Sequence, residues 1–190
     1  MRNTYCTETR RGFTLVEVVI TAAIAIVLML ALTYMYGEFN RTFPYLESSL
    51  AVTDGSSRIV DAVREGALQA THISAAHDFS EVTYTSGTTT VVFELPSITA
   101  AGATIAGYYD YIAVSASGTV AYRLVDAASG SVRTSGTKQL TQILESLAFT
   151  YDHTNVAQAT SLFVDATTTA QAGGEVLTTH IRARADLRNL

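Results

Sequence analysis

The chain has 190 residues, of which 48% are hydrophobic, and a formal net charge of -5. This size suits one domain with an extension, and the acidic balance, with Lys138 as the sole lysine, argues against nucleic-acid binding as a main activity. The single cysteine, Cys6, excludes an intramolecular disulfide, so packing and backbone pairing must stabilise the fold.

The first predicted element is a membrane-spanning helix. Residues Val18 to Gly37 form an uncharged apolar run of 20 residues. A helix of that length spans roughly 30 Å, the hydrocarbon thickness of a bilayer. Tyr34 and Tyr36 lie at its far end, where aromatic side chains commonly mark a membrane boundary. We therefore expect a single-pass membrane anchor.

The segment around the start of this run carries Arg10, Arg11, Gly12, Phe13 and Glu17. A secretory signal has its cleavage site after the apolar region, whereas here the basic and small residues come first. The two arginines favour a cytoplasmic N terminus, and Gly12 lets an extended backbone pass through a protease cleft without a steric clash. Glu17 is the most informative residue, because a carboxylate at the edge of an apolar helix is costly and normally persists only with a partner or a function.

The sequence from Arg10 to Glu17 resembles the class III signal of type IV prepilins and pseudopilins. The resemblance implies that a membrane aspartyl prepilin peptidase cuts between Gly12 and Phe13 and that Phe13 is then N-methylated. It also implies that Glu17 acts in assembly by pairing with the amino terminus of a neighbouring subunit. The implied segments are a leader (1–12), a transmembrane and assembly helix (13–37), an amphipathic continuation of that helix (38–72) and a β-rich globular pilin domain (73–190).

The same resemblance implies partners and a location. The partners are a prepilin peptidase, other pilin or pseudopilin subunits, an inner-membrane assembly platform and, before assembly, membrane lipid. The chain is expected to be inserted once in the inner membrane with a cytoplasmic N terminus and a periplasmic or extracellular globular domain. No proline precedes Pro44, unlike in many major pilins, which favours a minor pilin or pseudopilin. The globular part resembles minor pilins of the W type and type II secretion pseudopilins of the J type, and a major pilin of the filament shaft is the alternative.

The predicted fold class is α+β, a long N-terminal hydrophobic α-helix packed on an antiparallel β-sheet domain. Apolar residues recur at helical spacing from Phe39 to Leu68, so the helix should continue past the membrane, bend or loosen at Pro44 and end between Gln69 and His72. Beyond it, Thr, Ser, Val, Tyr and Gly favour strands and tight turns. The predicted elements are a hairpin of Glu81–Ser86 with Thr89–Leu95, a hairpin of Tyr109–Ser115 with Thr119–Val125, a short helix or turn over Thr137–Leu144, a strand through Leu147–Tyr151, loops over Ala157–Thr160 and Ala166–Gly174, and a final half-buried strand with Leu177 to Leu187 on its apolar face.

No residue pattern indicates catalysis, a metal site or a cofactor. The four histidines, His72, His77, His153 and His180, lack metal-ligand spacing. Asp126 and Asp152 sit near predicted turns, as calcium ligands do in some pseudopilins, but without a calcium-loop pattern. Neither a nucleophile elbow nor a phosphate-binding loop occurs. We therefore predict that the protein is not an enzyme.

Three other interpretations stay open from the sequence. A filament-borne adhesin, or a module that binds DNA or a secreted substrate, would use an exposed sheet surface such as the aromatic residues Tyr108, Tyr109 and Tyr111, although alternating strand aromatics are more often core. A membrane-tethered enzyme with an uncleaved anchor would be insensitive to replacement of Gly12. Lipid attachment at Cys6 would require the cysteine to follow an apolar stretch, which it does not.

Overall fold

The structure, a computed structural model, describes residues 13–188. The leader, including Gly12 and Cys6, lies outside the described residues. The described elements are α1 (Leu15–Gln69), β1 (His72–Ile73), β2 (Ala76–Phe79), β3 (Val82–Thr85), β4 (Thr90–Ile98), β5 (Thr104–Ser117), β6 (Val120–Asp126), β7 (Gly136–Thr141), β8 (Leu144–Tyr151), a 3-10 turn (Val156–Gln158), β9 (Ser161–Ala172) and β10 (Glu175–Asp186). The chain divides into two compact units, residues 1–44 and 45–190, called here the N-terminal unit and the globular unit.

The N-terminal unit contains the apolar part of α1. Within α1 an 18-residue window reaches a mean hydropathy of 2.8, and none of that window is buried, so the helix is long and apolar enough to cross a membrane. Pro44 lies inside α1 and does not end it, and the helix terminates at Gln69, within the predicted range. All side chains from Phe13 to Pro44 are exposed, as expected of a segment whose natural surroundings are lipid or other helices.

In the globular unit, α1 packs against two antiparallel sheets. The five-stranded sheet has the order β1-β4-β5-β6-β7, and the three-stranded sheet has the order β10-β9-β8. One core joins Ile59 and Val63 of α1 with Phe93 of β4, Ile112 of β5 and Leu162 of β9, all fully buried. The predicted α+β class is therefore confirmed, with two main sheets in place of one.

Three of the predicted strand assignments are confirmed. Strands β5 and β6 form a hairpin around Gly118-Thr119, where Gly118 takes a φ of +58°. Strand β8 contains the predicted Leu147–Tyr151 segment. In β10 the exposed and more buried side chains alternate along the strand, and Ala183, Ala185 and the following Leu187 are buried.

The predicted hairpin of Glu81–Ser86 with Thr89–Leu95 is wrong. Strand β3 pairs with β2 in a separate two-stranded sheet, while β4 pairs with β5 and β1. The edge of β4 that β3 would need is occupied by the chain that leaves α1, since Thr71 N donates to Glu94 O (2.9 Å) and Ser74 N donates to Val92 O (2.9 Å). The β2–β3 hairpin instead lies on the other face of the large sheet, where Phe79 packs on Val92, Ala113 and Leu124.

Two further predictions are wrong. The expected helix or turn over Thr137–Leu144 is mostly strand β7, which pairs with β6. The expected loop over Ala166–Gly174 is the larger part of β9, which pairs with both β8 and β10. In the second case small residues serve close packing, because Thr168 Oγ1 donates to Val52 O of α1 at 2.6 Å. Ala and Thr therefore let the helix approach the sheet, whereas their composition alone suggested a loop.

Candidate functional site

The candidate site is the beginning of α1, where Thr14 and Glu17 form a capping box. Thr14 N donates to Glu17 Oε2 at 2.9 Å, and Glu17 N donates to Thr14 Oγ1 at 3.3 Å. The Thr14 hydroxyl also donates to Glu17 Oε2 at 3.1 Å. Two backbone N–H groups that a helix start leaves unpaired are satisfied in this way. The spacing Thr14-x-x-Glu17 is the sequence signal of such a cap, a role of Glu17 beyond the expected one in assembly.

The capping box leaves part of the Glu17 carboxylate available. Both contacts from Thr14 use Oε2, and Oε1 has no hydrogen-bond partner among the described residues. A negative charge at this position is also favoured by the positive end of the helix dipole. The geometry therefore fixes the carboxylate near the start of the helix while leaving one oxygen free to accept from a cation.

The surroundings of this carboxylate are apolar. Phe13 is 83% exposed, and the neighbours Leu15, Val16 and Val18 are also exposed hydrophobic side chains. In lipid or in a bundle of helices they would exclude water, and a charge there is costly unless an opposite charge reaches it. The arrangement is suited to hold an ammonium group from another chain.

The predicted cleavage site lies partly outside the described residues. Gly12 is not described, whereas Phe13 is the first described residue and directly precedes the helix cap. Cleavage after Gly12 and methylation of Phe13 are therefore predictions that rest on the sequence.

The comparison with known proteins bears on the same segment. Residues 9–33 match the family described as the prokaryotic N-terminal methylation motif. This motif is the class III signal found in type IV pilins and pseudopilins. With the exposed apolar helix, it supports a membrane-anchored, type IV pilin-like or pseudopilin subunit. Subunits of this class are in general processed by a prepilin peptidase and assemble with other pilin subunits. No curated protein and no solved structure matches the chain.

The other residues considered in the sequence do not converge on a second site of that kind. His77 stacks on Tyr111 with ring centroids 3.5 Å apart, and its Nε2 lies 2.8 Å from Asp126 Oδ2, so these three side chains bind the β2–β3 hairpin to the large sheet. Burial and the hydrogen bond to Glu94 raise the pKa of Tyr111 to about 12. Tyr108 and Tyr109 remain about half exposed.

Asp152 is engaged in a turn. Its carboxylate accepts from the backbone N–H and hydroxyl groups of Thr160 and Ser161. Partial burial would raise the pKa of Asp152, but these hydrogen bonds outweigh it and lower the pKa below its usual value. Within residues 13–188, no group of three His, Cys, Asp or Glu side chains is placed to hold a metal ion.

Proposed function

We propose that this chain is a prepilin that is cleaved after Gly12 and assembled through α1 as a minor pilin or pseudopilin. The observation that carries the proposal is the capping box at the start of an exposed apolar helix, inside the residues that match the methylation motif. A plain membrane anchor needs the apolar helix but not a carboxylate held at its N-terminal end.

Assembly follows from the geometry in two steps. Cleavage creates an ammonium group on Phe13, which N-methylation by the general chemistry of the class leaves basic. When subunits pack side by side, the ammonium group of one chain reaches the free Oε1 of Glu17 in another, and the ion pair sets the register between the two helices. The apolar surface of α1 then exchanges lipid for neighbouring helices.

The orientation follows from the charge distribution. Arg10 and Arg11 hold the N terminus on the cytoplasmic side, so the globular unit is delivered to the periplasmic or extracellular side. The membrane holds the subunit until an inner-membrane platform incorporates it. A minor role is supported by the lack of proline between Phe13 and Pro44, and quantifying the chain against the shaft protein in purified filaments tests that role.

Cleavage is tested by the intact mass of the chain expressed with a prepilin peptidase. We expect the native chain to lose residues 1–12 and Gly12→Val to stay uncut, because a branched side chain at this position obstructs the extended backbone in the protease cleft. An additional mass of about one methyl group on the native product would show that it is methylated, and fragmentation would locate the methyl group at Phe13. A native chain that stays uncut would leave only a plain membrane anchor.

The role of Glu17 is tested by separating its charge from its capping function. Glu17→Gln keeps a side chain that a capping box accepts but removes the charge, whereas Thr14→Ala removes the capping hydroxyl and keeps the charge. We expect Glu17→Gln to be cleaved normally yet be lost from sheared filaments by about tenfold or more, and Thr14→Ala to be incorporated. Immunoblots of the filament and membrane fractions measure how much of the cleaved chain is incorporated into filaments. Normal incorporation of Glu17→Gln would mean that the carboxylate only caps its own helix.

A further inference from the structure

The outer edge of the five-stranded sheet combines an unpaired strand with an unusual arrangement of charge. Strand β7 pairs with β6 on one side, and no other strand among the described residues pairs with its second side. Residues Gly136 to Gln139 of β7 are exposed, whereas Leu140 and Thr141 are buried. Alternate N–H and C=O groups of that exposed part therefore point away from the sheet. Such an edge is a template for another extended chain unless it is covered or blocked.

Two cations lie directly opposite each other at this edge. Arg123 of β6 is the register partner of Lys138 of β7, and like charges in that position repel. Glu65 of α1 binds Arg123 through both carboxylate oxygens, at 2.9 and 3.1 Å. Lys138 has no ion-pair partner within residues 13–188. Among residues 13–188, ion pairing thus compensates only one of these two cations.

Arg123 has a second unmet requirement. Its Nε is buried and has no hydrogen-bond partner in the structure. Buried donors in folded proteins are nearly always paired, and an exception calls for an explanation such as an absent ligand. An anion that contacted the guanidinium of Arg123 and the ammonium of Lys138 would offset the repulsion between the two cations.

A cavity is present where that anion would lie. It has a volume of about 370 Å³ and is lined by Arg123, Arg133 and Lys138 with the threonines Thr134 and Thr137. The charge of Arg133 is already balanced, because its Nη1 donates to Asp110 Oδ2 at 2.6 Å. Arg123 and Lys138 also line the adjacent cavity toward α1, together with Asp61 and Glu65. Among the described residues, no carboxylate lines the first cavity. The first cavity therefore offers cations and hydroxyl groups to an anionic guest.

We propose that this cavity and the edge of β7 bind an extended acidic segment of a partner protein. A carboxylate of the segment enters the cavity between Arg123 and Lys138, and its backbone adds as a strand beside β7. Charge complementarity selects an acidic segment, and the free edge selects an extended peptide. A nucleic acid is disfavoured because only one of the three cations is uncompensated and the chain as a whole carries a net charge of -5.

The proposal does not depend on cleavage or filament assembly, so it is tested in solution with the detergent-solubilised full chain. The probe is a fluorescein-labelled peptide of sequence Thr-Val-Glu-Val-Glu-Val-Thr, and fluorescence anisotropy measures its affinity. We expect Lys138→Gln to weaken binding by about tenfold, because the charge-assisted contact is lost. The matched control, Arg188→Gln, removes an equal charge from an exposed side chain beyond β10 and should change affinity by less than about twofold.

Three further probes separate the parts of the proposal. A peptide with glutamine in place of glutamate lacks the carboxylates and should bind about tenfold more weakly. The acidic peptide with alternate backbone nitrogens methylated lacks N–H groups for strand pairing and should also bind about tenfold more weakly. A labelled single-stranded oligonucleotide should bind more weakly than the acidic peptide. Equal affinity of Lys138→Gln, insensitivity to backbone methylation, or tighter binding of the oligonucleotide would each overturn the proposal.

Discussion

Asp110 is a fully buried carboxylate that joins β5 to the segment between β6 and β7. It accepts hydrogen bonds from Ser97 Oγ (2.7 Å), Ser131 Oγ (2.7 Å), Ala128 N (2.8 Å) and Arg133 Nη1 (2.6 Å). Burial alone would raise the pKa of Asp110, but these donors outweigh it and hold the pKa below its usual value. The ionised carboxylate is therefore stabilised by folding.

This linkage predicts the acid sensitivity of the fold. A group whose pKa is lowered by folding stabilises the protein above its unfolded pKa, about 3.9 for Asp, and that stabilisation is lost as the pH falls through the folded pKa. We expect Asp110→Asn to lower the free energy of unfolding by about 3 kcal/mol at pH 7, because Arg133 loses its counter-ion. Between pH 5 and pH 2 the variant should lose less stability than the native chain.

Urea unfolding of the detergent-solubilised chain at a series of pH values measures both effects. The control, Asp186→Asn, removes an exposed carboxylate from the end of β10 and should leave the pH dependence nearly unchanged. Parallel pH profiles for the native chain and Asp110→Asn would show that Asp110 does not link folding to protonation.

The roles proposed for Gly12, Phe13 and Glu17 rest on residues that lie close together in the sequence, and they stay predictions. Gly12, Phe13 and Glu17 fall within one short motif, and the Thr14–Glu17 cap is visible as a three-residue spacing. The opposition of Arg123 and Lys138 was not predictable, because it depends on the register of β6 with β7, which shifts at an irregularity between Ala121 and Tyr122. A charge 15 positions away in the chain becomes a direct neighbour only once that register is known.

At the scale of elements, contact between α1 and β4 depends on a glycine. A Cβ added at Gly66 would lie 2.6 Å from Cδ2 and 2.8 Å from Cε2 of Phe93, whose side chain is fully buried. Phe93 belongs to the close-packed core, so its ring can move away only by displacing its neighbours. The helix therefore approaches the sheet closely because residue 66 has no side chain.

We expect Gly66→Ala to lower the free energy of unfolding by about 1–3 kcal/mol through overpacking. Phe93→Leu makes space at the same point, so the double variant Gly66→Ala/Phe93→Leu should be more stable than the sum of the single effects by about 1 kcal/mol. Urea unfolding of the four chains gives the coupling energy. The control is Gly87→Ala, because a Cβ added at Gly87 has no atom within 4 Å. If the destabilisations of Gly66→Ala and Phe93→Leu simply add in the double variant, the packing argument is wrong.

Local periodicity predicted the elements whose partners are adjacent in the chain. Helix α1, the β5–β6 hairpin and β10 follow from repeating patterns within each segment. The predicted pairing of β4 with β3 is wrong because β1 occupies that edge of β4. Strand β1 is only two residues long, too short for its sequence pattern to predict a strand. Strand β9 was missed because its Ala and Thr residues are selected by the closeness of α1, a tertiary effect that overrides composition.

At the scale of the whole molecule, the two units differ in how many of their side chains are buried. The globular unit buries a core cluster whose first residue in α1 is Ile59, whereas residues 13–44 bury none of their side chains. The N-terminal unit therefore contributes attachment, and the globular unit contributes its own stability. Because the signal at residues 9–33 lies in the N-terminal unit, it supports a pilin-like subunit but carries no information about the sheets of the globular unit.

The separation predicts that a chain beginning at Tyr45 folds without the membrane helix. The hydrophobic core remains complete in such a chain, so its thermal midpoint should lie within about 5 °C of that of the full chain in mild detergent. The full chain should stay in carbonate-washed membranes, because its exposed apolar helix needs lipid, while the shortened chain should be recovered in the soluble fraction. Circular dichroism and cell fractionation measure the two properties. An aggregated or unfolded shortened chain would show that residues 13–44 are required for folding and not for attachment alone.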